Sequence, residues 1–431
     1  MNTGLFWFFD SPRETRFFRW YHRVFSIAEI EGSRALQWVF GATIFSYYVA
    51  FSSWIATDTV TVNGMERGIA TCWPYFQNCT DYYVLYSLPF GYSQTTLYMG
   101  LLAVLAAIVF CMHKREWILA HLLLVIPFLW HSVTALLLTQ GLTGNYDYYL
   151  IGFASIVLFS SHKEYFLKVL LVSFYFLSTA VKIHDAWIVG TYFSAMSTGL
   201  PWFPDWSIPF LTNQLIFMEM VGAWFLLSNH KLIQRIVTGY FIFFHFYSGV
   251  LVEYRYPSTV LPTLIILFAL FYRYQRPPFD AKAIIGWALV GVWFVAQSVP
   301  FFITGDQKYT LEANRIGLHM FESNHQCVST VTYEYTDGTS RVIRKSSDSA
   351  RNRCNPFDAL QHIQYWCAHS TKKITRASWT FDHSINGRPF HRQVDERDAC
   401  TLVYKPWSHN AWIRDQQDAP VVGYPRENRY Y

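Results

Sequence analysis

Residues 283–303 read AIIGWALVGVWFVAQSVPFFI, an uncharged run long enough to cross a bilayer. Residues 304–310, TGDQKYT, follow directly, and from there charged and polar residues return at the frequency of a soluble protein. Upstream as far as residue 35, similar apolar runs alternate with short polar segments. The sequence therefore predicts an N-terminal segment 1–34, an apolar helical bundle 35–303 and a soluble domain 304–431.

Composition favours a lipid partner over a nucleic acid. Of the 431 residues, 52% are hydrophobic, 19% are aromatic and only 15% are charged. The net charge of +5 would suit nucleic acid, but the chain has no block of lysine and arginine, and its basic residues stand mostly beside the apolar runs. We therefore predict a lipid bilayer as partner and no nucleic-acid binding.

The apolar runs predict an all-α polytopic membrane bundle of about nine transmembrane helices, with a small C-terminal α+β extracytoplasmic domain. The fourth and eighth runs are short, so the count has an error of one. The predicted spans are 35–56, 95–112, 117–140, 147–161, 165–183, 211–228, 233–252, 258–273 and 283–303.

Basic residues predict the orientation of this bundle. With nine spans and a cytoplasmic N-terminus, fourteen lysines and arginines fall in inner segments and two, Arg67 and Arg255, in outer loops. Residues 1–30 contain Asp10, Pro12 and four arginines, so we expect no cleavable leader. The prediction is an integral protein of the plasma, inner or secretory-pathway membrane, with its C-terminal domain outside the cytoplasm.

The cysteines give an independent indication of compartment. One group of two and one group of four fall on the predicted outer side, where disulfides persist, whereas Cys111 is predicted to be an unpaired inner thiol. A zinc site is the alternative for the outer cysteines, although no C-x-x-C pair is present. We predict pairing of the first two and at least one disulfide among the other four: Cys72 and Cys79; Cys327, Cys354, Cys367 and Cys400.

Two flanking pieces have local signals of their own. Residues 11–31 interleave arginines with aromatic residues, which predicts a helix lying along the inner leaflet, with a partner-binding helix as the alternative. In the C-terminal domain, turns at Asp337-Gly338 and Asn386-Gly387 flank a helix over 355–369 and predict a ββαββ-like unit that could bind a protein partner. Its histidines show no metal-ligand spacing and are predicted to be surface or packing residues.

Ionisable residues inside the apolar runs are the default candidates for function, because charge is costly there. Four of them are predicted at one depth near the outer face and suggest a shared polar cavity. Each has a structural alternative: a lysine snorkelling to headgroups, a glutamate paired with a neighbour, or histidines satisfied in the core. The four are Lys182, Glu219, His131 and His245; Glu253 and Arg255 lie near that level and could form a rim ion pair.

Such a cavity would be suited to proton transfer. A lysine in apolar surroundings can become neutral and act as a base, while histidine or glutamate handles a second proton. The sequence has no G-x-S-x-G, H-E-x-x-H or Walker motif, so hydrolysis by those routes and nucleotide use are not predicted.

A family resemblance adds to this reading. Residues 175–190, YFLSTAVKIHDAWIVG, and Phe244-His245 followed by Tyr256-Pro257 resemble segments of the vitamin K-dependent γ-carboxylase-like (HTTM) membrane proteins. The resemblance implies a lysine, here Lys182, that deprotonates a reduced quinone in a site open to the non-cytoplasmic side. The C-terminal domain is smaller than the carboxylase's, and no peptide-substrate site is recognisable.

These arguments give two main hypotheses. The first is a membrane enzyme with quinone-type modification chemistry; the alternative is a non-enzymatic scaffold or accessory subunit of a membrane complex whose outer domain binds a partner. A transporter is less favoured because no inverted repeat is seen. The candidate catalytic residues are Lys182, His245, Glu219 and His131, and the candidate substrate-binding residues are Trp187, Glu253 and Arg255.

Overall fold

The computed structural model combines a helical part with a five-stranded antiparallel sheet. It describes residues 15–57, 94–135, 146–194, 200–252, 254–274, 276–277, 279–303, 305–312, 325–347 and 354–424. We call residues 15–303 the helical part, residues 305–312 the strap, and residues 325–424 the sheet part. The predicted pair Cys72–Cys79 and the candidate Glu253 lie outside the described residues.

The helical part holds most of the α-helices, which are numbered here in chain order. Short 3₁₀ segments occur at Asp205–Ser207, Gly222–Leu227 and Val299–Phe302, and a π-helical segment at Ile265–Leu270. The α-helices are α1 (Arg16–Val24), α2 (Ile27–Gly32), α3 (Arg34–Thr57), α4 (Gln94–His113), α5 (Trp117–Val133), α6 (Tyr146–Phe159), α7 (Lys163–Ala180), α8 (Asp185–Ile188), α9 (Thr191–Ser194), α10 (Ile208–Met220), α11 (Lys231–Val252), α12 (Arg255–Leu264), α13 (Ala281–Ser298), α14 (Gln307–Thr310) and α15 (Pro356–His369).

The prediction of about nine transmembrane helices is wrong. Among the residues that the structure describes, two helices are long and apolar enough to cross a membrane, Thr96–His113 and Ala281–Phe302. Three further apolar helices are shorter, at Trp117–Val133, Tyr146–Phe159 and Arg255–Leu270. The all-α polytopic bundle of the sequence prediction is therefore replaced by a helical part with two candidate spans.

Burial and charge explain why the apolar runs were wrongly predicted to be transmembrane spans. In α6, residues 147–158 are all buried, so its apolar run packs against other helices on every side. Helix α7 carries Lys163, Glu164 and Lys168 in its first two turns. The predicted span 211–228 is a short α-helix that ends at Met220 and continues as a 3₁₀ segment.

Helix α7 leads directly into the turn that carries the candidate Lys182, and its N-terminus is fixed by α2. The Glu29 carboxylate accepts hydrogen bonds from the backbone N–H groups of His162 and Lys163, both at 2.8 Å. A carboxylate at this position satisfies two of the free N–H groups of the first turn and suits the positive end of the helix dipole. Helix α7 is buried along most of its length and so has a fixed position.

The sheet part has the strand order β2-β1-β3-β4-β5. Its strands are β1 (His325–Tyr335), β2 (Ser340–Ser347), β3 (Ile374–Ile385), β4 (Phe390–Glu396) and β5 (Val421–Gly423). Both hairpins turn where the sequence predicts, with positive φ at Gly338, Asn386 and Gly387. Helix α15 begins after Asn355, whose side chain caps the N–H of Phe357 at 2.9 Å.

Two disulfides hold this sheet part, as the sequence predicts for at least one. Cys327 pairs with Cys354, which joins β1 to the residue before α15's cap, and Cys367 pairs with Cys400, which joins α15 to the segment after β4. Cys111 is a free, buried thiol, as predicted. Disulfides persist in oxidising surroundings, so the pairs indicate an extracytoplasmic compartment for the sheet part.

Candidate functional site

A buried ion pair forms the centre of the site. Lys182 lies in the turn that follows α7 and Glu219 near the end of α10, with exposed fractions of 2% and 1%. The Lys182 Nζ lies 2.6 Å from Glu219 Oε2. The Thr179 hydroxyl donates to the same oxygen at 2.5 Å, so one carboxylate oxygen receives two hydrogen bonds from the end of α7.

Trp187 completes the surroundings of the lysine. The turn after α7 leads into α8, where Trp187 is 1% exposed. The Lys182 Nζ lies 5.6 Å from the centre of the indole, a distance typical of a cation–π contact. The Lys–Trp spacing in the sequence thus places the two side chains in contact, because the chain turns back between α7 and α8.

The ion pair borders a small apolar cavity of about 140 Å³. A cavity of about this size can hold a benzene ring, and it is smaller than the pockets that enclose whole drug-sized ligands. Apart from the pair and a few other polar side chains, its wall is aromatic and aliphatic. Residues on its wall include Lys182, Glu219, Trp187, Tyr240, Ser248 and Tyr256.

His245 lies one layer behind this cavity. It is fully buried on α11, and its Nε2 is 2.5 Å from the hydroxyl of Tyr175. Tyr175 stands one turn before Thr179 on α7, and its backbone carbonyl oxygen lies 2.8 Å from the Thr179 hydroxyl oxygen. His245 is therefore connected to the ion pair through α7 and does not line the cavity itself.

The structure places His131 in a separate buried group. Its Nε2 lies 2.8 Å from Asp147 Oδ1, with both side chains at most 2% exposed. Its ring stacks on Trp54, with centroids 5.3 Å apart, and meets the edge of Tyr47. His131 is not among the cavity-lining residues, so the structure does not bring all four predicted ionisable groups together.

Arg255 also lies away from the ion pair. It begins α12, and its guanidinium lies 4.6 Å from the centre of the Tyr146 ring. Its neighbour Tyr256 lines the cavity instead. Glu253, its predicted partner in a rim ion pair, lies outside the described residues.

Sequence reasoning missed three residues that hydrogen-bond the candidate residues: Thr179, Tyr175 and Asp147. The first two stand within the quoted stretch 175–190, three and seven residues before Lys182, and so on the turns of α7 that lead to it. Helical spacing from the lysine would have identified both. No group of three or more His, Cys, Asp or Glu side chains within the described residues has an arrangement that could hold a metal ion.

Comparisons with known proteins do not identify the chain. No family model, no curated protein and no solved structure matches it. The resemblance to γ-carboxylase-like membrane proteins stays a prediction from short motifs.

Proposed function

We propose that the helical part is embedded in a membrane and that its cavity binds the ring of a lipid-soluble molecule, with which Lys182 and Glu219 exchange a proton. The observation that carries this proposal is the buried Lys182–Glu219 pair on the wall of an apolar cavity. A charged pair is costly in such surroundings, and unusual ionisable groups on a ligand-sized cavity mark candidate sites.

Lys182 and Glu219 have different roles in this proton exchange. A lysine accepts a proton only when its amine is neutral. Since Nζ and Glu219 Oε2 are 2.6 Å apart, a proton can pass from Lys182 to the carboxylate without movement of either side chain. Thr179 keeps the receiving oxygen in place, and the neutral amine then faces the cavity as the base.

A reduced quinone, which the family resemblance implies, fits the size and chemistry of this cavity. It would supply an acidic ring hydroxyl, and the space of about 140 Å³ suits one ring. Tyr240 and Tyr256 offer hydroxyl groups for orientation, and the aromatic walls supply apolar contacts. The residues that would hold the ring are Lys182, Glu219, Trp187, Tyr240 and Tyr256.

Membrane embedding is supported by the surfaces of the two candidate spans. On α13, Val292 and Val295 are 65% and 66% exposed, and on α4 Val109 and Phe110 are 53% and 52% exposed. Contiguous exposed apolar surface marks a binding or membrane face. We propose that these faces contact lipid.

Basic residues support an orientation with the sheet part outside the cytoplasm. Lys114 and Arg115 follow the first candidate span, and Lys282 stands at the start of the second, so the positive-inside rule puts those ends in the cytoplasm. Arg19 of α1 and Lys282 line one cavity, which places α1 at the same end. The strap and the sheet part then follow the opposite, outer end of α13.

A non-enzymatic scaffold is the second candidate. The observation in its favour is that Glu219 Oε2 receives hydrogen bonds from both Lys182 and Thr179, so the pair fastens α10 to the end of α7. In this case the buried charges specify helix packing, and a protein partner binds the sheet part.

Ligand binding by the full chain separates the two. The probe is a reduced short-chain benzoquinone, kept under argon, with tryptophan fluorescence of the detergent-purified protein as the signal. We expect saturable binding that Lys182→Met and Glu219→Gln weaken at least tenfold, because each removes one half of the pair. Lys163→Met is the matched control, since Lys163 is a buried lysine at the opposite end of α7 whose Nζ donates to the Ser160 carbonyl, and it does not line the cavity.

The scaffold is favoured if the wild-type chain shows no saturable binding, or if Lys163→Met weakens binding as much as Lys182→Met. Lys182→Arg keeps the positive charge but is a far weaker proton donor. We therefore expect Lys182→Arg to retain binding.

A further inference from the structure

A second cavity, of about 290 Å³, lies where the start of α13 meets α7 and residues 272–274 and 276–277. Its wall combines three basic side chains with tyrosine and tryptophan rings. The basic residues are Lys168, Arg273 and Arg276. This cavity is separate from the one at Lys182, which shares none of its lining residues.

Lys168 is the buried cation of this cavity. It is 4% exposed, and its Nζ donates to Glu164 Oε1 at 2.7 Å and to the Arg273 carbonyl at 3.0 Å. A lysine ammonium carries three N–H donors, so one remains for a further acceptor. The Tyr272 ring, 5.1 Å from Nζ, holds the ammonium from another side.

The two arginines supply positive charge that no salt bridge among the described residues neutralises. Within the part of the chain that the structure describes, neither Arg273 nor Arg276 forms a salt bridge, whereas Lys168 is paired with Glu164. The Arg276 guanidinium lies 5.8 Å from the Tyr274 ring centre. The cavity therefore carries an uncompensated charge of about +2, provided by side chains that hydrogen-bond phosphate oxygens well.

The position of the cavity at the start of α13 also indicates which kind of ligand it binds. Trp287 lines it from the second turn of α13, the helix that forms the candidate span Ala281–Phe302, and Phe279 lines it with 85% exposure. Tryptophan and basic residues at the end of a span are typical of the headgroup level of a bilayer. Basic pockets between helices at that level bind anionic headgroups.

We propose that Lys168, Arg273 and Arg276 form a binding site for a phosphate group, supplied by an anionic phospholipid or by a soluble phosphate. The arginines contact the phosphate oxygens, the free donor of Lys168 adds a third contact, and Trp287 with Phe279 contacts the apolar part of a lipid. This site makes no use of the Lys182–Glu219 pair, so either proposal can fail alone.

Binding by the full-length protein in an uncharged detergent tests the site. The probes are phosphatidylglycerol, phosphatidylcholine and inorganic phosphate, with affinity measured by microscale thermophoresis. Because Arg273→Gln/Arg276→Gln removes two charge-assisted contacts to the phosphate, we expect it to weaken phosphatidylglycerol binding by at least about 30-fold. Lys231→Gln/Arg235→Gln removes the same charge from two exposed residues of α11 and should change it less than threefold.

The three probes separate the sources of the phosphate. Phosphatidylglycerol binding without phosphate binding assigns the site to lipid, and inorganic phosphate binding that depends on the same arginines assigns it to a soluble phosphate. Equal weakening by both double variants, or no binding of either anionic probe to the wild type, overturns the proposal. Arg276→Gln alone, which changes one exposed side chain, gives the same comparison if the double variant unfolds.

Discussion

The ring of Tyr309 lies nearly parallel to the imidazole of His383, with centroids 4.9 Å apart. Tyr309 belongs to the strap and His383 to β3, and both are fully buried. On β1, His325 Nδ1 lies 2.9 Å from His383 Nε2. Because one of these nitrogens must donate and the other accept, the hydrogen bond fails when both histidines are protonated.

The buried His325–His383 pair, together with His362 of α15, predicts that the sheet part loses stability in acid. Burial and the neighbouring His325 hold the pKa of His383 well below its usual value, and burial with the Lys345 ammonium lowers the pKa of His362 to about 4. An unfolded histidine titrates near 6.5. Below that pH the unfolded chain binds more protons than the folded one, so stability is full above pH 6.5 and falls as the pH drops toward 4.

Urea unfolding followed by tryptophan fluorescence between pH 8 and pH 4 measures this decline. His362→Gln should flatten it, because glutamine does not titrate. Burial also raises the pKa of Glu396, so protonation of this carboxyl stabilises the folded sheet part as the pH falls. This effect on the free energy of unfolding is opposite in sign to that of the histidines and is confined to the acidic end of the range. A free energy of unfolding that is constant or rises from pH 6.5 to 5 would contradict the prediction.

The disulfides predict a measurable loss when one is removed. Cys327–Cys354 and Cys367–Cys400 close loops with separations of 27 and 33 residues, for which chain entropy gives about 3–4 kcal/mol each. Replacing Cys327 and Cys354 together with alanine should lower the free energy of unfolding of the sheet part by about 3 kcal/mol. Chemical denaturation compares this variant with Cys111→Ala, which removes a thiol that forms no disulfide.

Counting thiols in the denatured, unreduced protein tests the pairing of Cys72 with Cys79. One modifiable thiol, that of Cys111, is expected if those two cysteines are paired. Three modifiable thiols would show that they are not.

Two glycines of α13 offer a matched test of its packing on α7. A Cβ on Gly286 would lie 2.2 Å from the ring of the fully buried Phe166, whereas a Cβ on Gly291 meets nothing within 4 Å. Gly286→Ala should therefore destabilise the helical part by about 1–3 kcal/mol, the usual cost of overpacking. Gly291→Ala should be neutral or slightly stabilising, because alanine favours the helix.

Thermal unfolding in detergent gives both values under the same conditions. Equal melting temperatures for the two alanine variants would contradict the close approach of α13 to Phe166.

The Lys182–Glu219 pair predicts strong coupling in stability. Lys182→Met or Glu219→Gln alone leaves one buried group without its partner, which costs about 3–5 kcal/mol. The double variant removes both charges and should cost much less than the sum of the two. Additive losses in a double-mutant cycle, measured by chemical denaturation, would show that the two side chains do not interact in the folded protein.

Local sequence signals were sufficient to predict the turns and the helix start of the sheet part. The turns at Asp337-Gly338 and Asn386-Gly387 and the cap at Asn355 depend on a few neighbouring residues, and each occurs where the sequence indicates it. The two disulfides were expected, but their connectivity depends on which strand lies beside α15. That tertiary information is absent from cysteine spacing.

The helical part was harder to predict, because an apolar run does not reveal whether its side chains contact lipid or other helices. Residues 147–158 of α6 are as apolar as a membrane span, yet all of them are buried among other helices. Depth along a predicted span brought Lys182 and Glu219 together correctly, but it placed His131 beside them as well. Which way a side chain points around its helix depends on packing, and His131 faces Asp147.

The strap has a mechanical consequence. Glu312 accepts hydrogen bonds from the backbone and side-chain amides of Asn410 and lies 2.6 Å from His409, while the Asp306 N–H binds Asp415. The strap is thus held to the sheet part near both of its ends, at Asp306 and at Glu312. A displacement of the strap would therefore be passed on to residues 409–415 of the sheet part instead of being absorbed between the two.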